Sequence, residues 1–504
     1  MLCTLLLLAA QDLEGIERTL KQAVDKNSYE NGAYQAAKTL ADMRSAAAME
    51  LRLKLFDPKM DTYRGVYLRD WFYSGMKKAE RIEESALLIK AARDKKRSEL
   101  QRVLCLRALT VCKAPIPAKE MLQRSFLKAT PVVQREWQQC LGTAHAQNRL
   151  YAEGKLATEL DLKVRELLAK AGPPYNGLSA LRSLAAPEWG RLLGASRDAK
   201  HPWDRAEALR GLAAHMNKGP FLQAVEWSLA DKEWAPKIAA VEASVINQAY
   251  GSVPLFIDAL ELAAKEKNGR LQNDLGIALM RLTQQQLGFQ SKRWRQWWQD
   301  QGREWLQKAN DGLIQRPGQA EKEAETTSQI FGLPVHSHRI CLLVDASGSM
   351  KDPFGDTTRA EAAAKEMEEF LQQLPAHAKV NLIMIDQRPK LLFKKLSPAN
   401  AGNRRKILQQ VRKNEYRQRS ALVNAIELAS SDLEVDTLVL IGDGGSSEGI
   451  HQYSGHMLEY LGILYRRSGV RIHTISVGGG TSKTRFMQQL AEATGGHSVV
   501  AEAP

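Results

Sequence analysis

A chain of 504 residues is too long for one ordinary hydrophobic core, so two or three units are expected. With 44% apolar and 25% charged residues, it is neither disordered throughout nor a multi-span membrane protein. The formal charge of +14 divides as 50 Lys and Arg against 39 Asp and Glu before residue 336, and 21 against 18 from there on; a solvated surface accounts for so thin a spread.

The chain opens on Met1-Leu-Cys-Thr-Leu-Leu-Leu-Leu-Ala-Ala10, an apolar stretch that ends in small residues and runs into Gln11-Asp12. Too short to cross a bilayer as a helix, it reads as a signal peptide over residues 1–11, with export to the periplasm or beyond and no transmembrane segment in the mature chain. No Lys or Arg precedes it, so a buried first helical turn in a cytoplasmic protein is the competing reading. Five cysteines with no CxxC pair argue against a disulfide framework and against a cysteine zinc site.

From residue 12 to 310 the apolar residues recur every three or four positions in stretches of helical length, and nothing alternates as a strand does. Four stretches resemble one another: Arg102-Val-Leu-Cys-Leu-Arg-Ala-Leu109, Arg205-Ala-Glu-Ala-Leu-Arg-Gly-Leu212, Lys237-Ile-Ala-Ala-Val-Glu-Ala-Ser244 and Asn273-Asp-Leu-Gly-Ile-Ala-Leu-Met280. The last three start 32 and 36 residues apart. A period in the thirties with small residues on the packing face points to an all-α solenoid, whose units bury apolar surface only by stacking. The region resembles degenerate HEAT repeats, with an irregular helical bundle as the alternative. Ala278 to Phe289, followed by Trp294, Trp297 and Trp298 on one helix face, resembles the closing unit of bacterial HEAT-containing proteins, where the tryptophans cap the last repeat. Residues 311–335, with Arg316-Pro-Gly and an acidic Thr-Ser-rich run, read as a linker, so the two halves are expected to unfold separately.

The rhythm changes after His336. Arg339–Val344, Lys379–Ile385, Thr437–Ile441 and Arg471–Val477 are short apolar runs with amphipathic helix patterns between most of them, as in a doubly wound α/β domain with a mainly parallel sheet. Lys379 to Lys395 is interrupted by Gln387-Arg-Pro and reads as a hairpin with an antiparallel edge strand. His336 and His338 are the only histidines paired at ligand spacing, and their position in the linker favours solvated polar residues.

Two loops carry hard oxygen donors. Asp345-Ala-Ser-Gly-Ser349 follows the first strand and Gly442-Asp443-Gly444 follows the fourth run, and loops at the carboxyl ends of parallel strands converge where strand order reverses. Carboxylates with hydroxyls suit Mg²⁺, with Mn²⁺ or Ca²⁺ as substitutes. Because hydroxyls leave the ion's charge largely uncompensated, such a site takes a further anionic ligand.

In these residues the region 336–504 closely resembles the von Willebrand factor type A family, and the motif Asp-x-Ser-x-Ser, here Asp345, Ser347 and Ser349, resembles its metal ion-dependent adhesion site. The family's second loop carries a Thr, for which Ser420 stands here beside Arg419. Its third loop is commonly Thr-Asp-Gly, and Gly442 replaces that Thr while Asp443 remains. The resemblance implies a Rossmann-like fold, direct ligation by Ser347, Ser349 and Ser420, and ligation by Asp345 and Asp443 directly or through water. It further implies a non-catalytic adhesion or assembly role in which the metal captures an acidic residue of a protein partner. Arg417 and Arg419, in a basic run from Arg404, are expected to face that partner. A metal-dependent hydrolase and a basic nucleic-acid-binding scaffold are the alternatives. Neither finds a motif: GxSxG, HExxH and the phosphate loop are missing, and no nucleic acid is expected as a partner.

Overall fold

The spacing of apolar positions before residue 310 becomes a succession of helices in the computed structural model, which describes residues 2–26, 31–56, 65–170, 187–213, 218–314, 318–320, 328–416 and 419–503. Two compact units form: Met1–Glu188 with Ser447–His456, and Trp189–Ser446 with Met457–Pro504.

Among the described residues, the regular structure of the first unit is helical apart from one two-residue parallel pairing, Ile116–Pro117 with Leu150–Tyr151. Leu2–Asp25 is one continuous helix, so the apolar opening residues lead directly into the amphipathic turn that buries Leu20 and Ala23. No described helix is long and apolar enough to cross a membrane. Successive helices pack in pairs, among them Ile82–Arg93 against Glu99–Val111, and the latter against Pro131–Ala146. Cys105, Cys112 and Cys140 are buried free thiols here, as Cys341 is in the second unit, and burial pushes Cys105 and Cys140 up to about 12.

The second unit combines helices with the sheet. The three repeated stretches lie in Pro202–Ala213, Trp234–Ile246 and Gly269–Thr283, and these helices pack in sequence, first on second and second on third. Between them run Lys218–Leu229 and Val253–Lys265, each packing on the helix that follows it. A helix pair is thus the repeating unit, and the 32- and 36-residue spacing is the distance from one inner helix to the next. Small buried residues, Ala206, Ala239, Ala243 and Ala278 among them, let these helices approach. Ser291–Asn310 closes the series: Trp294, Trp297 and Trp305 are buried edge to face, with centroids 6.0 and 5.6 Å apart, and Trp294 Nε1 donates to Gly288 O at 2.7 Å. The tryptophans are packing residues.

The sheet has six strands: β1 (Arg339–Asp345), β2 (Lys379–Ile385), β3 (Ser397–Pro398), β4 (Thr437–Gly442), β5 (Arg471–Ser476) and β6 (Ser498–Val500), in the order β6-β5-β4-β1-β2-β3. All pairings are parallel except the edge pair β2–β3. The antiparallel return after β2 is present, but its regular pairing falls at Ser397–Pro398. Before that, the chain is held by a single Ile383–Leu391 bridge and by the Asn381 side chain, which bonds both Phe393 N and Phe393 O. β1 and β4 are neighbours, so their carboxyl ends lie side by side.

Two expectations change. Part of the linker is core: Gln329–Ile330 and Leu333–Pro334 form a hairpin whose Ile330 and Leu333 are fully buried, while Gln329 N and Phe331 N donate to Gln373 Oε1 and Glu366 Oε2 at 2.8 Å. His336, read as solvated, is buried, and His338 Nδ1 meets His377 Nε2 at 2.8 Å.

Nor do the compact units divide at residues 311–335. The helices from Trp189 onward share a unit with the sheet, and a buried charge network is the physical reason. Arg270, 1% exposed, donates from Nη1 to Asp436 O and from Nη2 to Gly469 O at 2.8 Å, just ahead of β4 and β5. Its neighbour Asp274 takes Arg471 Nη2 at 3.0 and 3.1 Å, and Arg210 pairs with Glu242 at 2.7 Å.

Candidate metal site

Asp345 ends β1, where the strand's last side chain turns up beside β4. It is 4% exposed, and its Oδ1 accepts from Ser347 N at 2.9 Å while Oδ2 accepts from Ser347 Oγ at 2.9 Å. From there the oxygens form a chain: Ser347 Oγ to Ser349 Oγ at 2.9 Å, and Ser349 Oγ to Asp443 Oδ2 at 3.0 Å. Asp443 Oδ1 accepts from Gly445 N at 2.8 Å. Four of the five ligands expected from the sequence are therefore joined through hydrogen bonds. Ser420, buried on the second loop, donates instead to Gly445 O at 3.0 Å, so it borders the Asp443 loop without joining that chain.

Burial pushes the Asp345 carboxyl up to about 6, and the neighbouring Asp443 charge adds to the rise against the bonds from Ser347. Burial would raise Asp443 as well, but the Lys483 ammonium and Gly445 N–H hold it below the usual carboxylate range. Lys483 was not foreseen. Its Nζ lies 2.7 Å from Asp443 Oδ2, and the side chain is 45% exposed. It stands in the first turn of the helix Thr481–Ala493, which Gly478 and Gly479, at φ of 72° and 104°, lead in so close that a Cβ on Gly479 would lie 3.3 Å from Asp443 Cβ. Gly478 and Gly479 serve a close approach, and their signal in the sequence was the run Gly478-Gly-Gly480 itself.

Gly442 has a similar explanation. A Cβ there would lie 2.6 Å from Asp345 Cβ, so the family's usual Thr has no room at this crossing of β4 and β1.

Of the two arginines expected at the rim, Arg419 is exposed, and Arg417 lies outside the described residues. The basic run before them is partly engaged: Arg404 Nη2 donates to Leu374 O at 2.9 Å and Arg412 pairs with Glu368 at 2.5 Å.

The donor set fits a hard divalent ion, since two carboxylates and two hydroxyls are linked in one continuous chain of hydrogen bonds. One condition attaches: the ion and the Lys483 ammonium compete for the same oxygen of Asp443.

Comparison with known proteins agrees with this geometry. Residues 340–446 match the family model of the von Willebrand factor type A domain, so the chain carries such a domain beside its helical repeats. Domains of this type are generally interaction and adhesion modules without catalysis, and they commonly bind a divalent metal. Among solved structures, the chain is similar to the SpRpn10 VWA domain (17% identity, covering 33% of this chain and 88% of that one, TM-score 0.26). It is also similar to an aerotolerance-related membrane protein from Bacteroides fragilis (15% identity, 32% and 90%, TM-score 0.27) and to a von Willebrand factor type A from Catenulispora acidiphila (15% identity, 32% and 38%, TM-score 0.27). No curated protein matches.

Proposed function

We propose that the protein is a non-catalytic adhesion or assembly factor whose type A domain binds Mg²⁺ through Asp345, Ser347, Ser349, Ser420 and Asp443 and uses it to capture an acidic residue of a partner protein. The observation that carries this reading is the continuous oxygen chain from Asp345 to Asp443 across the ends of β1 and β4. When bound, the ion supplies an electrophilic position for a carboxylate. The chain's own residues orient it: the Ser347 amide and hydroxyl fix Asp345, and the Gly445 amide fixes Asp443. Arg417 and Arg419 would pair with the same anionic partner by bidentate bonds, with the unengaged part of the basic run steering the encounter. The reading has the protein acting outside the cytoplasm, on the strength of Leu2–Ala10.

Affinity capture followed by mass spectrometry, with and without EDTA, tests this. Partners retained by the wild type in Mg²⁺ should be lost with EDTA and with the Asp345→Ala variant. The double variant Arg417→Ala, Arg419→Ala should keep its Mg²⁺ affinity yet bind the captured partner more weakly and with a flatter salt dependence. Capture indifferent to EDTA would refute the reading, and an unchanged salt slope would reduce the rim to solvated surface.

Lys483 adds a further expectation. A half-exposed ion pair is worth about 0.2–1 kcal/mol, so Lys483→Met should tighten Mg²⁺ binding by up to about fivefold in calorimetry. Weaker binding in that variant would mean that the ammonium helps to hold the site together.

A further inference from the structure

A second constellation lies in the first unit, between positions that the sequence separates by more than 380 residues. The helix Gly65–Lys77 carries Asp70, 2% exposed, and the segment Ser447–His456 brings His451 and His456, 1% and 3% exposed, against it. Asp70 Oδ1 lies 2.6 Å from His451 Nδ1 and 3.4 Å from His456 Nδ1, and one ligand atom from each of the three residues lies within 4.8 Å of the others. Asp70 Oδ2 is held apart from this group by two backbone amides, Gln452 N and Tyr453 N, each at 2.8 Å.

His456 makes the arrangement more than a hydrogen-bonded anchor. Its Nε2 meets Ser74 Oγ at 3.1 Å, and with that nitrogen assigned as the donor, Nδ1 carries the lone pair. Buried and aimed at Asp70 Oδ1, this Nδ1 has no hydrogen-bond partner. A buried nitrogen left so is destabilising, and native interiors seldom carry one without a reason. Tyr73 and Tyr453 stand edge-on to the His456 ring, at centroid distances of 4.9 and 5.1 Å, and wall the group from water.

We propose that Asp70 Oδ1, His451 Nδ1 and His456 Nδ1 form a binding site for a zinc-class divalent ion, distinct from the oxygen site of the type A domain. A carboxylate with two imidazoles suits zinc, which takes such ligands at about 2.0–2.2 Å and keeps a fourth tetrahedral position open when the protein supplies three. Tetrahedral ligands at that distance stand roughly 3.3 Å from one another, close to the 3.4 Å between Asp70 and His456. The shorter contact to His451 must widen by less than about 1 Å, with the imidazole hydrogen moving from Nδ1 to Nε2. Outer contacts of the expected kind are already in place: Ser74 on His456 and two amides on the second Asp70 oxygen.

Cobalt reports on this site directly. The full chain, stripped with EDTA and returned to excess Mg²⁺, should bind one equivalent of Co²⁺ with the intense visible band of a four-coordinate complex, and Zn²⁺ should bleach it. The band should survive Asp345→Ala. His456→Gln should weaken binding by roughly 100-fold or more, and Ser74→Ala, which keeps all three ligands, by about tenfold. Circular dichroism of the His456→Gln chain checks its fold; should it misfold, the Ser74→Ala shift carries the test. A wild-type chain without the band, or a band unmoved in both the His456→Gln and Ser74→Ala chains, would overturn the assignment.

Discussion

Replacing Asp345 with Ala should lower the affinity of the protein for Mg²⁺ by about 100-fold or more while leaving the fold intact. The carboxylate does two things at once. It contributes one of only two negative charges in the ligand set, and through Oδ1 and Oδ2 it holds the Ser347 amide and hydroxyl, from which the chain continues to Ser349. Charge-assisted hydrogen bonds are worth about 1.5–3 kcal/mol each, so losing the ligand together with the orientation of a second exceeds two decades. The fold has less to lose. Asp345 is 4% exposed at the end of a strand, and its desolvation opposes folding, so the unfolding midpoint should hold or rise in the variant. Calorimetry giving the wild-type Mg²⁺ affinity would exclude Asp345 from the ligand set.

Arg270→Ala should be far more damaging to stability, at about 3–5 kcal/mol, because it removes one partner from a buried charge network. The guanidinium serves two backbone carbonyls, those of Asp436 and Gly469, and lies 3.5 Å from Asp274 Oδ2 with its carbon 5.2 Å from the Trp234 ring centroid. Truncation strands the Gly469 carbonyl, leaves Asp436 O to the Arg471 amide at 3.0 Å, and takes one cation from beside Asp274. A contrast is available in Arg295, 44% exposed and paired with Asp258 and Glu261, where Ala should cost under about 1 kcal/mol. Urea unfolding with hydrogen exchange read at β4 tells these apart. Equal small effects from the two variants would mean that packing, not this arginine, joins the helices to the sheet.

How much of this was legible beforehand follows from the range of the interactions. β1, β2, β4 and β5 are continuous apolar runs, readable because parallel strands are covered on both faces. Asp345, Ser347 and Ser349 sit within five residues of one another, so their convergence is local and could be read from spacing. The 32- and 36-residue recurrence gave the inner helices because the same packing problem is solved three times. Other features were out of reach of any local pattern. Arg270 meets Asp436 across 166 positions, and Lys483 reaches Asp443 across 40. Apolar periodicity says which face of a helix is buried, but not which distant backbone carbonyl an arginine on that face will meet. The end of the linker lies beyond local reading for a related reason: Gln329–Pro334 is too short to display a strand period, and only its bonds to Gln373 and Glu366 reveal it as part of the domain.

The composition of the first unit has a consequence for the order in which the protein can fold. Arg69 donates to Gly449 O and Ile450 O, and Asp70 takes its partners from residues 451 to 453, so two adjacent buried charges on one early helix depend on a segment made late in synthesis. Between Lys77, where that helix ends, and Gly449 lie 371 positions. At ~5–20 residues per second, the ribosome leaves that helix without these partners for roughly twenty to seventy-five seconds. Over that interval the nascent helices hold Arg69 and Asp70 without these late contacts. The first unit is therefore first in the chain but not first to finish: its last contacts close only after most of the sheet has been synthesised.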